Sequence, residues 1–294
     1  MNPTLRDFSA HHQARIEQQL SALLERLPDH NTRLIEAMRY SLLNGGKRMR
    51  PLLCYATAQA VGTTNSATDA MAAALECMHV YSLIHDDLPA MDDDDLRRGK
   101  ATCHIAFNEA TAILAGDALQ CLAFETVAKA NMSAEHKVEA LQILAMHAGA
   151  AGMVMGQAID LGAVDTALDL PQLERMHRHK TGALIEAAVS MGALSVGASS
   201  EQIHQLSVYA KALGLAFQVQ DDILDVVSDT ATLGKTQGAD IERNKPTYVS
   251  LLGLAGAQQK AQALRDQAVD VAKCFGERGT ILAALADYVI ERSH

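Results

Sequence analysis

Tryptophan is absent from this sequence, aromatic residues make up only 4 % of it, and 294 residues include just 6 prolines. Sheets draw on aromatic and β-branched residues, and prolines break helices, so the composition favours helix over strand. Positive charge is scarce too, with a formal net charge of −10 at neutral pH. Phosphate backbones select basic surfaces, which argues against nucleic acid as a partner. A small phosphorylated substrate stays compatible, provided local cations reverse the sign. The 5 cysteines (Cys54, Cys77, Cys103, Cys121 and Cys274) are odd in number, scattered, and never in a CxxC pair. They read as reduced core or near-core thiols of a cytosolic protein. The stretch Met1-Asn2-Pro3-Thr4-Leu5-Arg6-Asp7 lacks the apolar segment of a signal peptide, and no run of about eighteen apolar residues suggests a membrane span. A cytoplasmic, mostly helical protein is expected, with 49 % apolar residues to build its core.

What is present is helical periodicity almost throughout. It predicts helices from Leu5 to Leu27, Thr32 to Leu43, Arg50 to Gly62, and from Ser66 to an aspartate cluster at Asp86. Further helices are predicted over Phe107–Ala130, Ala134–Leu161, Pro171–Val196, Glu201–Val227, Thr247–Phe275 and Gly279–Arg292. The helix after Gly182 is apolar on nearly every side, which places it at the centre of a bundle. No linker, repeat or low-complexity block divides the chain. The expectation is one all-α domain, residues 1–294, of about ten helices. Two non-helical stretches, Asp92–Thr102 and Ser228–Pro246, each follow an aspartate cluster, where lids over a site would be useful.

The first cluster crowds Asp86, Asp87, Asp92, Asp93, Asp94 and Asp95 into ten residues. Such charges repel, and an isolated run of this kind would read as a solvated acidic loop. A second cluster changes the balance. Gln218, Asp221, Asp222 and Asp225 recur at i, i+3, i+4 and i+7 of a helix, as His79, Ser82 and Asp86 do at i, i+3 and i+7. Both clusters end a helix, where the partial negative charge makes aspartate unfavourable unless cations compensate. Oxygen-only donors in this number suit a hard divalent ion such as Mg2+. The complementary cations are Lys47 and Arg50 after the Gly45-Gly46 pair, then Arg97 and Arg98, Lys180 beside Thr181, and Lys235. Glycine lets a backbone approach closely, and helix amino-termini attract phosphate. His177-Arg178-His179 tempts a zinc reading, but residues two apart on a helix diverge, so surface charge is the better reading.

DDLPAMD followed by DDDLRRG, with GGKRMRP, HKTG and FQVQDDILD in that order, resembles the trans-isoprenyl diphosphate synthases along the whole chain. The expanded first motif is similar to that of the bacterial farnesyl diphosphate synthases, and it also occurs in plant-type geranylgeranyl synthases. Met49 and Ala101 depart from the usual pattern without touching a proposed ligand. The resemblance implies the isoprenoid synthase fold, a helical bundle around a central prenyl pocket. It implies a Mg2+-dependent prenyltransferase joining dimethylallyl or geranyl diphosphate to isopentenyl diphosphate, head to tail, giving (2E,6E)-farnesyl diphosphate. Three Mg2+ ions are implied, Mn2+ being a substitute, with Asp86, Asp92 and Asp221 as ligands and Asp87, Asp222 and Asp225 as water-mediated partners. Arg97, Lys180, Lys235 and Lys245 resemble contacts to the allylic diphosphate. Lys47, Arg50, His79 and Arg98 resemble the metal-free isopentenyl diphosphate site. Thr181, Gln218 and a carbonyl near Lys180 would face the allylic carbocation. Tyr81 and Ser82, one turn before Asp86, would set product length, and a tyrosine there resembles the fifteen-carbon enzymes. A homodimer is implied as well. The alternatives are a geranylgeranyl or geranyl diphosphate synthase and a non-catalytic partner subunit. A terpene cyclase is disfavoured because DDILD is intact.

Overall fold

The computed structural model describes residues 2–163, 168–227 and 246–292. Its helices are α1 (Pro3–Glu25), α2 (Arg33–Leu42), α3 (Met49–Val61), α4 (Ser66–Asp86), α5 (Cys103–Ala106), α6 (Glu109–Ala128), α7 (Ala134–Ala148) and α8 (Met153–Gly162). They continue as α9 (Leu170–His177), α10 (Ala183–Leu194), α11 (Ser200–Val227), α12 (Tyr248–Lys273) and α13 (Thr280–Glu291). The all-α expectation holds. Helix limits agree with the periodicity wherever a capping residue marks them. Asn65 starts α4 by accepting from the backbone of Ala67 and Thr68, while its own backbone N–H donates to the Thr68 hydroxyl.

Four departures from the predicted helices have local causes. Asn108 accepts from the Thr111 backbone at 2.8 Å and starts α6 close to its predicted limit, while the short α5 before it falls where no helix is predicted. The predicted Ala134–Leu161 helix breaks at Gly149 and Gly152. Between α9 and α10 the chain widens into a π-helical segment, Arg178–Gly182. Within α12, Gly253 takes φ 71°, a left-handed conformation that kinks the helix. The non-helical Asp92–Thr102 stretch contains a hairpin of β1 (Leu96–Arg97) and β2 (Lys100–Ala101). Its turn has positive φ at Arg98 and Gly99, the twist that two-residue hairpins prefer. The other expected loop, Ser228–Pro246, lies outside the described residues except for Pro246.

The apolar helix α10 does sit centrally. Leu184, Ile185, Ala187, Ala188, Val189 and Met191 are all buried, and the helix packs against α3, α4, α7 and α11. It therefore stands between the two helices that carry the aspartate clusters. All five cysteines are free thiols. Cys54, Cys77 and Cys103 are buried as expected, but Cys121 and Cys274 are exposed, because they fall on outward faces of their helices. Among the described residues, two helical stretches are long and apolar enough to cross a membrane, Glu109–Ala128 and Ala134–Gly162. The first packs along α4, and the second contains the Gly149–Gly152 break.

Where α10 crosses α3, a Cβ on Gly192 would overlap the Cys54 carbonyl oxygen and crowd its Cα at 3.0 Å. Backbone cannot rotate away as a side chain would. Gly192→Ala is expected to lower stability by about 2–3 kcal/mol, the scale of overpacking a dense core. Denaturant unfolding checks this, and a midpoint equal to that of the parent chain would contradict it.

Candidate active site

The carboxy-terminal end of α4 brings Asp86 into a half-buried position beneath α8 and the π segment. Gln157 Nε2 on α8 donates to Asp86 Oδ1. Lys180 Nζ, carried by the π segment, lies 3.9 Å from Asp86 Oδ2 and donates to Asp160 Oδ2 at 2.6 Å. A π turn inserts an extra residue per turn and so redirects side chains relative to the flanking α-helices. Gly156 permits the approach, since a Cβ there would collide with the backbone nitrogen of Lys180. The Asp92 backbone N–H donates to the Asp86 carbonyl at 2.9 Å, holding the two expected metal ligands together.

Electrostatics match that crowding. Burial pushes the Asp86 carboxyl from its ordinary 3.8 up to about 6, with Lys180 opposing the shift and Asp92 adding to it. Burial works against the charge on Lys180, but Asp86 and Asp160 hold the ammonium above its usual range. Arg97, the last residue of β1, places its guanidinium on Asp87, with Nε–O distances of 2.7 and 3.0 Å, and reaches Asp94 at 3.7 Å. Asp87 is thus engaged with Arg97, and burial still raises its pKa.

Two cavities meet at this point. The first, about 390 Å³, runs beside α4 and is bordered by Asp86, Gln157, Lys180 and Thr181 at its polar end. Tyr81, Ser82, His85, Met91, Met153, Val154 and Leu161 form most of its remaining wall. The second, about 540 Å³, is lined by Gly46, Lys47, Arg48, Arg50, Glu76, His79, Arg98 and Phe217. Arg50 and His79 border both. The second cavity is cationic to the point of self-repulsion. Burial, together with Arg98, brings Arg50 down to about 10, and burial with Arg50 and Arg98 drives His79 well below its ordinary 6.5. Lys47 and Arg98 are likewise lowered, first by burial and then by neighbouring arginines. Such a pocket is built to receive an anion.

The fold of the Asn44–Arg50 turn explains how these cations converge. Arg48 takes φ 52° at the start of α3, and its side chain is buried. Its guanidinium donates to Glu76 (2.6 Å), Glu17 (2.7 Å) and the Leu42 carbonyl (2.8 Å). That anchor leaves Lys47 and Arg50 to face the cavity. Arg98 donates to the Gly45 carbonyl, and Gly46 leaves room for its guanidinium.

The second aspartate cluster is divided. Gln218 Nε2 donates to Asp221 Oδ2 at 3.2 Å, and Arg292 donates to Asp221 Oδ1 at 2.6 Å. Asp222 instead accepts from the Tyr248 backbone at 2.7 Å, fastening α12 to α11, and Asp225 is buried. Asp221 and Asp222 are consecutive, and consecutive side chains stand about 100° apart around a helix, which is enough to send them to different neighbours. Among the described residues, no group of three or more acidic, imidazole or thiol side chains is gathered at metal-binding distance. Asp86 and Asp92 are brought together, whereas Asp221 belongs to the α11 side. Lys235 and Lys245 lie outside the described residues. His177 is buried and stacks on Tyr248 with ring centroids 5.5 Å apart, while His179 faces out, so the two diverge as expected. Burial of His177 corrects the surface-charge reading of that residue and lowers its pKa to about 4.

Sequence reasoning missed Gln157, Asp160, Glu76 and Arg292. Asp160 left a signal, being the lone charge in the apolar stretch Met153–Gly162. Arg292 left none, because its partner Asp221 lies 71 residues away.

The polyprenyl synthetase family model matches residues 31–282. The chain belongs to that family. It is 54 % identical over 283 residues to the farnesyl diphosphate synthase of Escherichia coli K12, covering 94 % of this chain and 95 % of the relative. An FPP/GFPP synthase structure from Zymomonas mobilis is 40 % identical, with a TM-score of 0.87, covering 99 % of this chain and 100 % of that one. A Helicobacter pylori geranyltransferase, complexed with magnesium and isoprenyl diphosphate, is 35 % identical with a TM-score of 0.83 and covers 99 % and 97 %. Family membership bears out the isoprenoid synthase fold and an isoprenyl-transferring enzyme.

The raised pKa of Asp86 carries a stability consequence. Its folded value lies above its unfolded value, so the ionised group costs the metal-free fold stability above about pH 6, and the cost fades as the pH falls toward the ordinary value. Asp86→Asn is expected to stabilise the metal-free chain by about 1–2 kcal/mol at about pH 8 and by nothing near pH 4. Thermal melts in chelator at both pH values check the sign; a lower melting temperature for the variant at pH 8 contradicts it.

Proposed function

We propose that this chain is a farnesyl diphosphate synthase, acting as one catalytic domain over residues 1–294. The observation that carries the reading is the pair of adjoining cavities, one cationic and one apolar with a carboxylate rim, sharing Arg50 and His79. A farnesyl diphosphate synthase at 54 % identity supports the product class.

In this reading Lys47, Arg50, His79 and Arg98 hold isopentenyl diphosphate without metal. Arg97, Lys180, Lys235 and Lys245 hold the diphosphate of dimethylallyl or geranyl diphosphate. The donor set fits Mg2+, which is ordinarily held by one or two carboxylates plus substrate phosphates. Asp86 and Asp92 would hold two ions and Asp221 a third, and Mn2+ is expected to substitute. When bound, Mg2+ supplies Lewis-acid neutralisation of the leaving diphosphate. Lys180 and Arg97 add positive charge where that diphosphate departs. Thr181, the Gln218 amide oxygen and the Lys180 carbonyl face the allylic cation with weak negative charge and no group able to trap it. The isopentenyl double bond then forms the new carbon–carbon bond, and the proton leaves to the departed diphosphate. Apolar walls along α4 exclude water from the cation.

Tyr81 and Ser82 line the first cavity, one turn below Asp86, and Tyr81 is 5 % exposed. A ring at that depth favours a fifteen-carbon product over the geranylgeranyl alternative. Exposed Ile113 and Leu114 on α6, with Val138 and Met146 on α7, support pairing of two copies. A cytoplasmic location accords with the free thiols.

The test is the purified chain with each allylic primer, isopentenyl diphosphate and Mg2+, with products separated by chain length. Farnesyl diphosphate is expected from both primers. Excess chelator and Asp86→Ala should each cut turnover by about 100-fold or more; full activity in chelator would sink the metal mechanism. Tyr81→Ala should extend the product beyond fifteen carbons, and a distribution unchanged from the parent would remove Tyr81 from the argument.

A further inference from the structure

The first cavity has a second wall whose position α6 controls. His85 shares a helix face with Tyr81, since the two are one turn apart on α4, and both border the cavity. Their rings meet edge to face, with centroids 5.7 Å apart. Behind His85 stands α6. His85 Nε2 donates to the Ile113 carbonyl at 3.0 Å, and Asp117 lies 3.9 Å from the same nitrogen. Gly116 lies directly against the imidazole, and a Cβ at that position would overlap the ring. The imidazole therefore occupies a recess that exists because residue 116 has no side chain. Gln120, one turn further along α6, lies beside the Tyr81 hydroxyl.

We infer that His85 is a specificity-determining residue for product length, set in place by Gly116 and the Ile113 carbonyl. This rests on the first cavity being the prenyl pocket. Tyr81 is then one of two rings that bound the growing chain, and the His85 ring is the one whose depth depends on a neighbouring helix. Filling the recess has a defined direction: the imidazole must leave α6, and the space left to it is the cavity. Removing the imidazole does the opposite, widening the cavity and withdrawing the edge-to-face support of Tyr81. Neither residue supplies a metal ligand or a diphosphate contact, so the two changes act on shape.

Product distributions from dimethylallyl and isopentenyl diphosphate, measured for Gly116→Ala, His85→Ala and Tyr81→Ala, test this. Gly116→Ala should raise the ratio of ten- to fifteen-carbon product, and His85→Ala the ratio of twenty- to fifteen-carbon product. Each shift should be about 10-fold or more, the discrimination that one methylene of pocket space can exert. Opposite shifts support the assignment. If Tyr81→Ala lengthens the product while the other two variants keep the parent distribution, or shift it the same way, the inference is overturned and the prenyl-pocket reading stands. If Tyr81→Ala also leaves the distribution unchanged, the pocket reading fails and takes the inference with it. Should circular dichroism show that Gly116→Ala does not fold, His85→Ala decides alone: longer product supports the role, and the parent distribution overturns it.

Discussion

Repulsion between like charges is the constraint on which this structure depends. Carboxylates are collected at the end of α4 and cations at the start of α3, and each group is unstable without a compensating partner. The compensation comes from elsewhere in the chain. Lys180 reaches Asp86 and Asp160, Arg97 grips Asp87, Glu76 takes Arg48, and Arg292 takes Asp221. These contacts hold the two halves of a site apart in charge yet adjacent in space. Asp86 and Arg50 remain displaced from their ordinary pKa values even so, first by burial and then by like-charged neighbours, so each charged form gains from a ligand of opposite sign.

Helix α10 gives the constraint its scaffold. Because it is buried almost all round, α4 and α11 can pack on it and present their aspartates from separate directions. Small residues set the separations: Gly192 lets α3 approach, and Gly156 lets α8 meet the π segment. The same economy of side chain at Gly46 admits Arg98 to the cationic cavity.

Much of this was legible from the chain. Apolar periodicity and caps such as Asn65 located most helices, and the aspartate motifs marked where chemistry sits. What could not be read was any feature produced by contact between distant segments. The π segment at Arg178–Gly182 has no local signature in residues that otherwise form good helix. The Asp221–Arg292 pair joins positions far apart in sequence, and Asp222 shares a motif with Asp221 yet serves to fasten α12. Spacing tells which residues share a helix; tertiary packing decides which of them face the same neighbour.

The π segment also bears on how this sequence can change over time. A π turn amounts to a single residue added within a helix, and each α-helical residue turns the chain by about 100°. Deleting one residue between His177 and Ala183 would let the helix run regularly from α9 to α10, a locally favourable event. It would also rotate Lys180 and Thr181 about the axis relative to one flanking helix, carrying the ammonium away from Asp86 and Asp160. Substitutions here can be absorbed one at a time, whereas a loss of length cannot be undone by any replacement of a neighbour. Relatives that keep the Lys-Thr pair in use should therefore vary in the letters of this segment and not in its count.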